Sequence, residues 1–196
     1  MATEAHKPRI LVVFYSRTGN TRRAARAIAR ATDADVEEIE DRASRRGLLG
    51  YLKSAYEALE QRQPTIVLPR RDPSAYDIVL VGSPTWASAL AGPVRAYLTR
   101  FAGRLPAVGF FVTCGGSGAE HVLVQMGRTA VKQPLATLIL TQRDVGRAPA
   151  VLIGEFVDTL LGAWEALSKG ATPSAHRETA RRQAWTSSCN GNRKSP

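Results

Sequence analysis

Five short apolar runs, Ile10–Tyr15, Val36–Ile39, Ile78–Gly82, Val108–Thr113 and Thr137–Thr141, alternate with stretches whose apolar residues recur every three or four positions. The runs are rich in Val, Ile, Leu or Phe and are flanked by Gly, Pro, Ser or Asp. Continuous apolar runs of this length read as strands buried on both faces, the habit of parallel sheets. Between them, residues 21–31 place Ala24, Ala27, Ile28 and Ala31 on one helical face and Arg22, Arg26 and Arg30 on another. Leu48, Leu52, Ala55 and Leu59 make a second stripe; Val94, Tyr97, Leu98 and Phe101 make a third. A shorter helix is expected around residues 120–130. The last starts at Pro149, a favourable first helical position, and runs through Leu152, Phe156, Leu160 and Leu167 to a stop at Lys169-Gly170. Strand–helix alternation repeated in this way specifies an α/β fold with a doubly wound, five-stranded parallel sheet. Ligands of such sheets sit beyond the carboxyl ends of the strands. Those ends are Ser16–Thr21, Ser83–Gly92 and Cys114–Gly118, and all three read as binding loops.

A chain of 196 residues has the length of one domain. Residues 1–170 are expected to form it. Residues 171–196 lack hydrophobic periodicity apart from Trp185 and read as a basic, disordered tail. The two cysteines, Cys114 and Cys189, cannot make a disulfide framework, and the three histidines, His6, His121 and His176, do not cluster as metal ligands. Ile10–Phe14 is too short for a signal peptide or a membrane span. The expected compartment is the cytoplasm, with both thiols reduced and no membrane partner.

Charge is the unusual quantity: 27 Lys and Arg against 17 Asp and Glu give a net +10. The tail supplies +4 through Arg177, Arg181, Arg182, Arg193 and Lys194 against Glu178, leaving +6 for the body. A basic field concentrates anions such as phosphorylated cofactors, nucleic acid or acidic proteins without choosing among them. No aromatic-interleaved basic patch or recognised module supports nucleic acid. Hydrolase chemistry is poorly supported too, because Gly-x-Ser-x-Gly fails at Ala119.

The strongest local signal is Ser16-Arg17-Thr18-Gly19-Asn20-Thr21, between strand one and helix one. Its hydroxyls and amides can donate to an anion, Gly19 allows a tight turn, and the helix amino end adds roughly half a positive charge. A plain helix cap would use the same residue types. Arg22 and Arg23, however, stand in the first turn, where cations oppose the helix dipole, and a bound phosphate would offset that cost. No Gly-Lys-Ser/Thr of a Walker loop occurs, and a single glycine does not make a dinucleotide fingerprint.

Ile10–Thr21 (ILVVFYSRTGNT), Gly82–Leu98 (GSPTWASALAGPVRAYL) and the FVTCGGSG segment from Phe111 together resemble the ligand loops of the flavodoxin family. The resemblance covers residues 9 to about 168. It implies a flavodoxin-like fold with strand order 2-1-3-4-5, the uninterrupted last strand of the short-chain branch, and FMN as cofactor. Carried to this chain, it implies that Ser16, Thr18, Asn20 and Thr21 hold the FMN phosphate, with a backbone amide from Arg17 and a turn at Gly19. Thr85 and Trp86, within Pro84–Ser88 and thus beside Ala87, would meet the flavin ring. An indole stacks on such a ring at about 4.5–7 Å between centroids; ordinary core packing is the other account of Trp86. The amides of Gly115, Gly116 and Ser117, flanked by Cys114 and Gly118, would face the pyrimidine edge. A glycine-rich connection without a ligand fits that third loop nearly as well.

Three departures from the family pattern bear on function. Residues 114–121 read CGGSGAEH and lack the tyrosine that covers the second ring face in many flavodoxins, so a nicotinamide or quinone could stack there. His121 could approach the flavin, but a lone histidine at a helix start is more often solvated or structural. Ala87 and Ser88 follow Trp86 where flavodoxins often have glycine. A type II turn wants positive φ at its third residue, and without glycine that costs about 1 kcal/mol, which favours two-electron chemistry. Finally, the basic body would draw NADPH phosphates, whereas electron-carrying flavodoxins are acidic. The expected function is an FMN-dependent oxidoreductase using NAD(P)H and a small-molecule acceptor such as a quinone. The alternative is an electron carrier docking on a redox protein partner, for which Arg42, Arg45, Arg46 and Lys53 beside Leu48–Leu59 could serve, although an ordinary crossover helix covering the sheet accounts better for that segment.

Overall fold

The structure, a computed structural model, describes residues 7–41, 66–146 and 150–170. The expected helix at Leu48–Leu59, the start at Pro149, and the tail with Trp185 and Cys189 lie outside them. The described residues carry 16 Lys and Arg against 13 Asp and Glu, so they hold only +3 of the net charge.

Strands β1 (Ile10–Phe14), β2 (Asp35–Glu38), β3 (Ile78–Trp86), β5 (Ala107–Cys114) and β6 (Thr137–Thr141) form a parallel sheet in the order β2-β1-β3-β5-β6. The short β4 (Ala89–Leu90) pairs antiparallel with the end of β3. Without β4, the order of the long strands is the expected 2-1-3-4-5. The helices are α1 (Asn20–Thr32), α2 (Gly92–Phe101), α3 (Ala119–Ala130), α4 (Gln142–Gly146) and α5 (Ala150–Ser168). Contacts divide the chain into one unit ending at Leu160 and a second from Leu161 onward. The described part of the second finishes α5 and turns at Gly170.

Why the apolar runs become strands is visible in their burial. All five residues of β1 are buried, as are seven of the eight in β5. Alternate strand residues point to opposite faces. Leu11, Val13, Val79, Val81, Phe110 and Val112 share a core with Tyr97 and Leu98 of α2 and Val122 and Met126 of α3. On the other face, α1 packs on β1, β3 and β5 and buries Ala24, Ala25 and Ile28. Each large side chain removed from water contributes roughly 1.5–3 kcal/mol, which fixes the strand register firmly.

The edge strand is clasped rather than packed. Buried Glu37 of β2 accepts from the Arg70 amide at 2.8 Å and from Arg71 at 3.4 Å, and Tyr76 donates to Asp35 at 2.7 Å. That hydroxyl, joined by the Arg71 charge, holds the Asp35 carboxyl below the usual carboxylate range.

Three details differ from the sequence reading. Strand β3 continues four residues past Gly82 to Trp86, because Thr85 and Trp86 find partners in Leu90 and Ala89. The expected loop Ser83–Gly92 is therefore largely a β-hairpin. Helix α4 was not anticipated; Asp144 starts it by accepting from the Thr141 amide and hydroxyl, both at 2.7 Å. No described helix is long and apolar enough to cross a membrane.

Candidate functional site

The carboxyl ends of β1, β3 and β5 lie side by side, and direct contacts join the three segments that follow them. After β1, the Tyr15 amide donates to the Gly82 carbonyl at 3.2 Å and keeps the chain beside β3. Gly19, at φ 92°, then opens α1. No side chain caps this helix and its first turn holds no acid. Its leading amides thus point outward without a side-chain acceptor, the arrangement that binds anions. Ser16 Oγ accepts from the Gly19 amide at 3.2 Å, which leaves the Ser16 proton to donate elsewhere. Arg17 and Thr18 are exposed and Asn20 is half-buried. Thr21 is different: it is buried, and its hydroxyl lies 2.7 Å from the hydroxyl of Thr113 on β5.

Arg22 does not need an anion to explain its position. Its guanidinium forks onto Glu38 at the end of β2, with distances of 2.9 and 2.6 Å. That pair offsets the unfavourable dipole locally, which corrects the expectation that a bound phosphate would offset the cost at Arg22. Arg23 is exposed.

The second segment is the hairpin of β3 and β4. Its central residues, Ala87 at φ 47° and Ser88 at φ 59°, are both left-handed. Two positive φ values between paired strands are the pattern of a type I′ turn, not the type II turn expected. Each non-glycine residue held there costs about 1–2 kcal/mol, so neighbours must hold it. Leu90 N donates to Gln125 Oε1 of α3 at 3.1 Å, an acceptor shared with Arg95 at 3.1 Å. The Ala91 amide reaches Ser83 Oγ at 3.4 Å. Pro84 is buried. Trp86 stands edge-on to Tyr15, with ring centroids 5.8 Å apart and an interplanar angle of 85°. Thr85 Oγ1 is buried with no hydrogen-bond partner.

The third segment leaves β5 at Cys114, a core residue whose thiol burial pushes up despite a hydrogen bond from the Gly116 amide. Gly115, Gly116 and Ser117 are exposed. Gly118, at φ 91°, opens α3, again without a side-chain cap. Ser88 occupies the space a side chain at position 118 would need: a Cβ there would lie 2.6 Å from Ser88 Cβ and 2.9 Å from its Cα. A Cβ on Gly115 would lie 3.5 Å from the Gln142 side-chain nitrogen at the start of α4. His121 is exposed on α3. Among the described residues, no three His, Cys, Asp or Glu gather as a metal site.

The structure thus brings 16–21, 84–88 and 114–118 to one edge. It adds four residues that sequence reasoning missed: Tyr15, Thr113, Gln125 and Gln142. Tyr15 carried a signal, an aromatic directly before the loop. The others take their roles from partners far away in the chain. Two uncapped helix amino ends, exposed glycine amides and an orphaned Thr85 hydroxyl form a donor set suited to FMN, with its phosphate and its polar-edged flat ring.

Comparison with known proteins agrees with this fold. A flavodoxin family model matches residues 9–137. A flavoprotein from Lactobacillus acidophilus NCFM, solved in complex with FMN, superposes with a TM-score of 0.58 at 20% identity, covering 71% of this chain and 97% of its own. A protein of Bacteroides eggerthii DSM 20697 that carries the name flavoprotein gives 0.63 at 21% identity, with 79% and 98% covered. The flavodiiron core of Flv1 from Synechocystis sp. PCC6803 gives 0.52 at 18% identity, covering 83% of this chain and 38% of that one. No curated protein sequence matches the chain.

Proposed function

The chain belongs to the flavodoxin family, and from that premise we propose that it is an FMN-binding oxidoreductase taking electrons from NAD(P)H and passing them to a quinone or similar small acceptor. FMN, when bound, supplies the reversible electron-accepting chemistry, and the protein orients and tunes it. The observation that carries the reading is the uncapped, acid-free start of α1 directly after β1. Its first-turn amides, the Ser16 hydroxyl and the side chains of Thr18 and Asn20 would hold the phosphate, with Gly19 and Arg17 contributing backbone. The partial positive charge of the helix end favours a dianion there without any lysine.

At the ring side, the amides of Gly115, Gly116 and Ser117 would donate to the polar edge, and Thr85 has an unused hydroxyl to offer. Tyr15 fixes the tilt of Trp86 by edge-on packing. The hairpin keeps Ala87 and Ser88 beside Gly118 and limits how far the two ring-side segments can separate. No aromatic residue lies between Cys114 and His121, which supports an open ring face for a nicotinamide or a quinone.

The test is spectroscopic. Protein loaded with FMN under exclusion of air should lose its visible flavin absorbance rapidly when NADPH is added, and regain it when a quinone follows. A bound flavin that stays oxidised would overturn the reductase assignment and favour an electron carrier with a protein partner.

A further inference from the structure

We propose that the groove between the second half of α1 and the outer edge of β2 docks an acidic, extended segment of a partner protein. Arg26 and Arg30, which flank this groove, stand six and ten residues past Asn20. That is about 9 and 15 Å along the helix axis from the anion cradle, so the inference does not rest on the FMN reading.

The groove has a volume of about 450 Å³ and is lined by Arg26, Ala29, Arg30, Asp33, Ala34 and Val36. Arg26 and Arg30 are exposed, and among the described residues neither guanidinium has a hydrogen-bond or ion-pair partner. The acids beside them are already taken. Glu38 is held by Arg22 at 2.6 Å, and Asp35 and Glu37 by Arg71 at 3.3 and 3.4 Å. Asp33, the one acid in the lining, pairs with Lys7 at 2.9 Å. With Asp33 neutralised, the charges of Arg26 and Arg30 are left over. They stand beside a floor of Ala29, Ala34 and Val36, which is buried or half-buried carbon. The complement of this groove is a chain that carries anions and apolar surface together.

The edge of the sheet says what kind of chain. Strand β2 is the outermost strand on this side. The Ile39 amide donates to the Phe14 carbonyl at 2.7 Å, so Asp35, Glu37 and Ile39 turn their backbone groups toward β1. Val36, between them, turns its own N–H and C=O outward, and among the described residues no backbone group meets them. An extended segment laid along that edge adds a strand. Its alternate side chains share a face and stand about 6.6 Å apart. Four residues of helix rise about 6 Å, so Arg26 and Arg30 match two carboxylates placed two residues apart. A lone phosphate gains nothing from the apolar floor, and nucleic acid would leave the Val36 backbone unmatched.

Blocked pentapeptides titrated into the full chain, followed by amide chemical shifts, test this. Val-Glu-Val-Glu-Val should shift the amides of residues 26–36, and the peptide with glutamine at both glutamate positions should not. Arg26→Gln and Arg30→Gln remove exposed side chains that hold nothing in the fold. Each should weaken binding about threefold, as expected for one exposed ion pair. The double variant should weaken it about tenfold, since the two arginines meet different carboxylates and their losses add. Arg128→Gln removes the same charge from α3 and should leave the affinity unchanged. An equal loss there would show that only the general positive field attracts the peptide, and would overturn the groove. Equally tight binding of Val-Glu-Glu-Val-Val, with adjacent glutamates, would overturn the extended pairing. An oligouridylate that shifts the same amides at lower concentration than the peptide would assign the groove to nucleic acid instead. Residues 2–6 include Glu4. Peptide binding that appears only after their removal would make the chain's own start the occupant, and would overturn a partner protein in that place.

Discussion

Gly19 and Gly118 open two helices at the same edge of the sheet with nearly the same backbone, φ 92° and 91°, yet they are glycine for different reasons. A side chain on Gly19 would meet nothing within 4 Å, so only the backbone conformation selects glycine there. A side chain on Gly118 would collide with Ser88, so both conformation and packing select it. Ala87 and Ser88 complete the contrast: they are left-handed without being glycine, and the contact with Gly118 helps to keep them so. The turn at Gly19, proposed for the phosphate, is thus set by its own backbone conformation. The end proposed for the flavin ring is built from two loops that hold each other in place, and strain of this kind gathers where function needs a fixed geometry.

The largest effect that would break this contrast is expected from Gly118→Ala. Steric overlap with Ser88 adds to left-handed strain, and together they should cost about 3–4 kcal/mol. Urea unfolding would measure the loss, and ring binding should weaken with it. Gly19→Ala should cost only the conformational part, about 1–2 kcal/mol. Equal losses for the two variants would remove the distinction between the loops. Smaller and opposite in sign is the double change Ala87→Asn, Ser88→Gly, which installs the residue pair that a type I′ turn prefers. It should raise stability by about 1 kcal/mol, seen as a higher urea midpoint; an unchanged or lower midpoint would mean the turn stores no strain.

The smallest effect belongs to the β2 edge, which titrates where the glycine-held turns do not. Tyr76 and Arg71 lower the Asp35 pKa in the folded state, so this contribution is fully present above the ordinary value of 3.8 and is lost as pH falls below it. The group is half exposed, and the drop should be slight. Comparing urea midpoints at neutral and acidic pH, Asp35→Asn should show less of the decline than wild type.

Most of the sheet was legible in the sequence because β1, β3 and β5 are buried on both faces, so their apolar runs are uninterrupted, while the strand order came from the resemblance to flavodoxins. The Ser16–Thr21 loop was legible for a similar reason: glycine, hydroxyls and a helix start all act within six residues. The hairpin was hidden because Ala87-Ser88 carries no turn signal, and a neighbouring loop supplies the restraint. Arg22 was misread because its partner, Glu38, reaches it only through the pairing of β1 with β2. Thr113 was invisible inside an apolar strand until Thr21 came to lie across from it.

The most direct measurement is a flavin fluorescence titration of the wild-type protein with FMN and, separately, with riboflavin. The account predicts that one equivalent of FMN is bound and that riboflavin binds at least about tenfold more weakly, since charged hydrogen bonds at the α1 amino end recognise the phosphate. Equal affinity for the two flavins, or binding of neither, would contradict it.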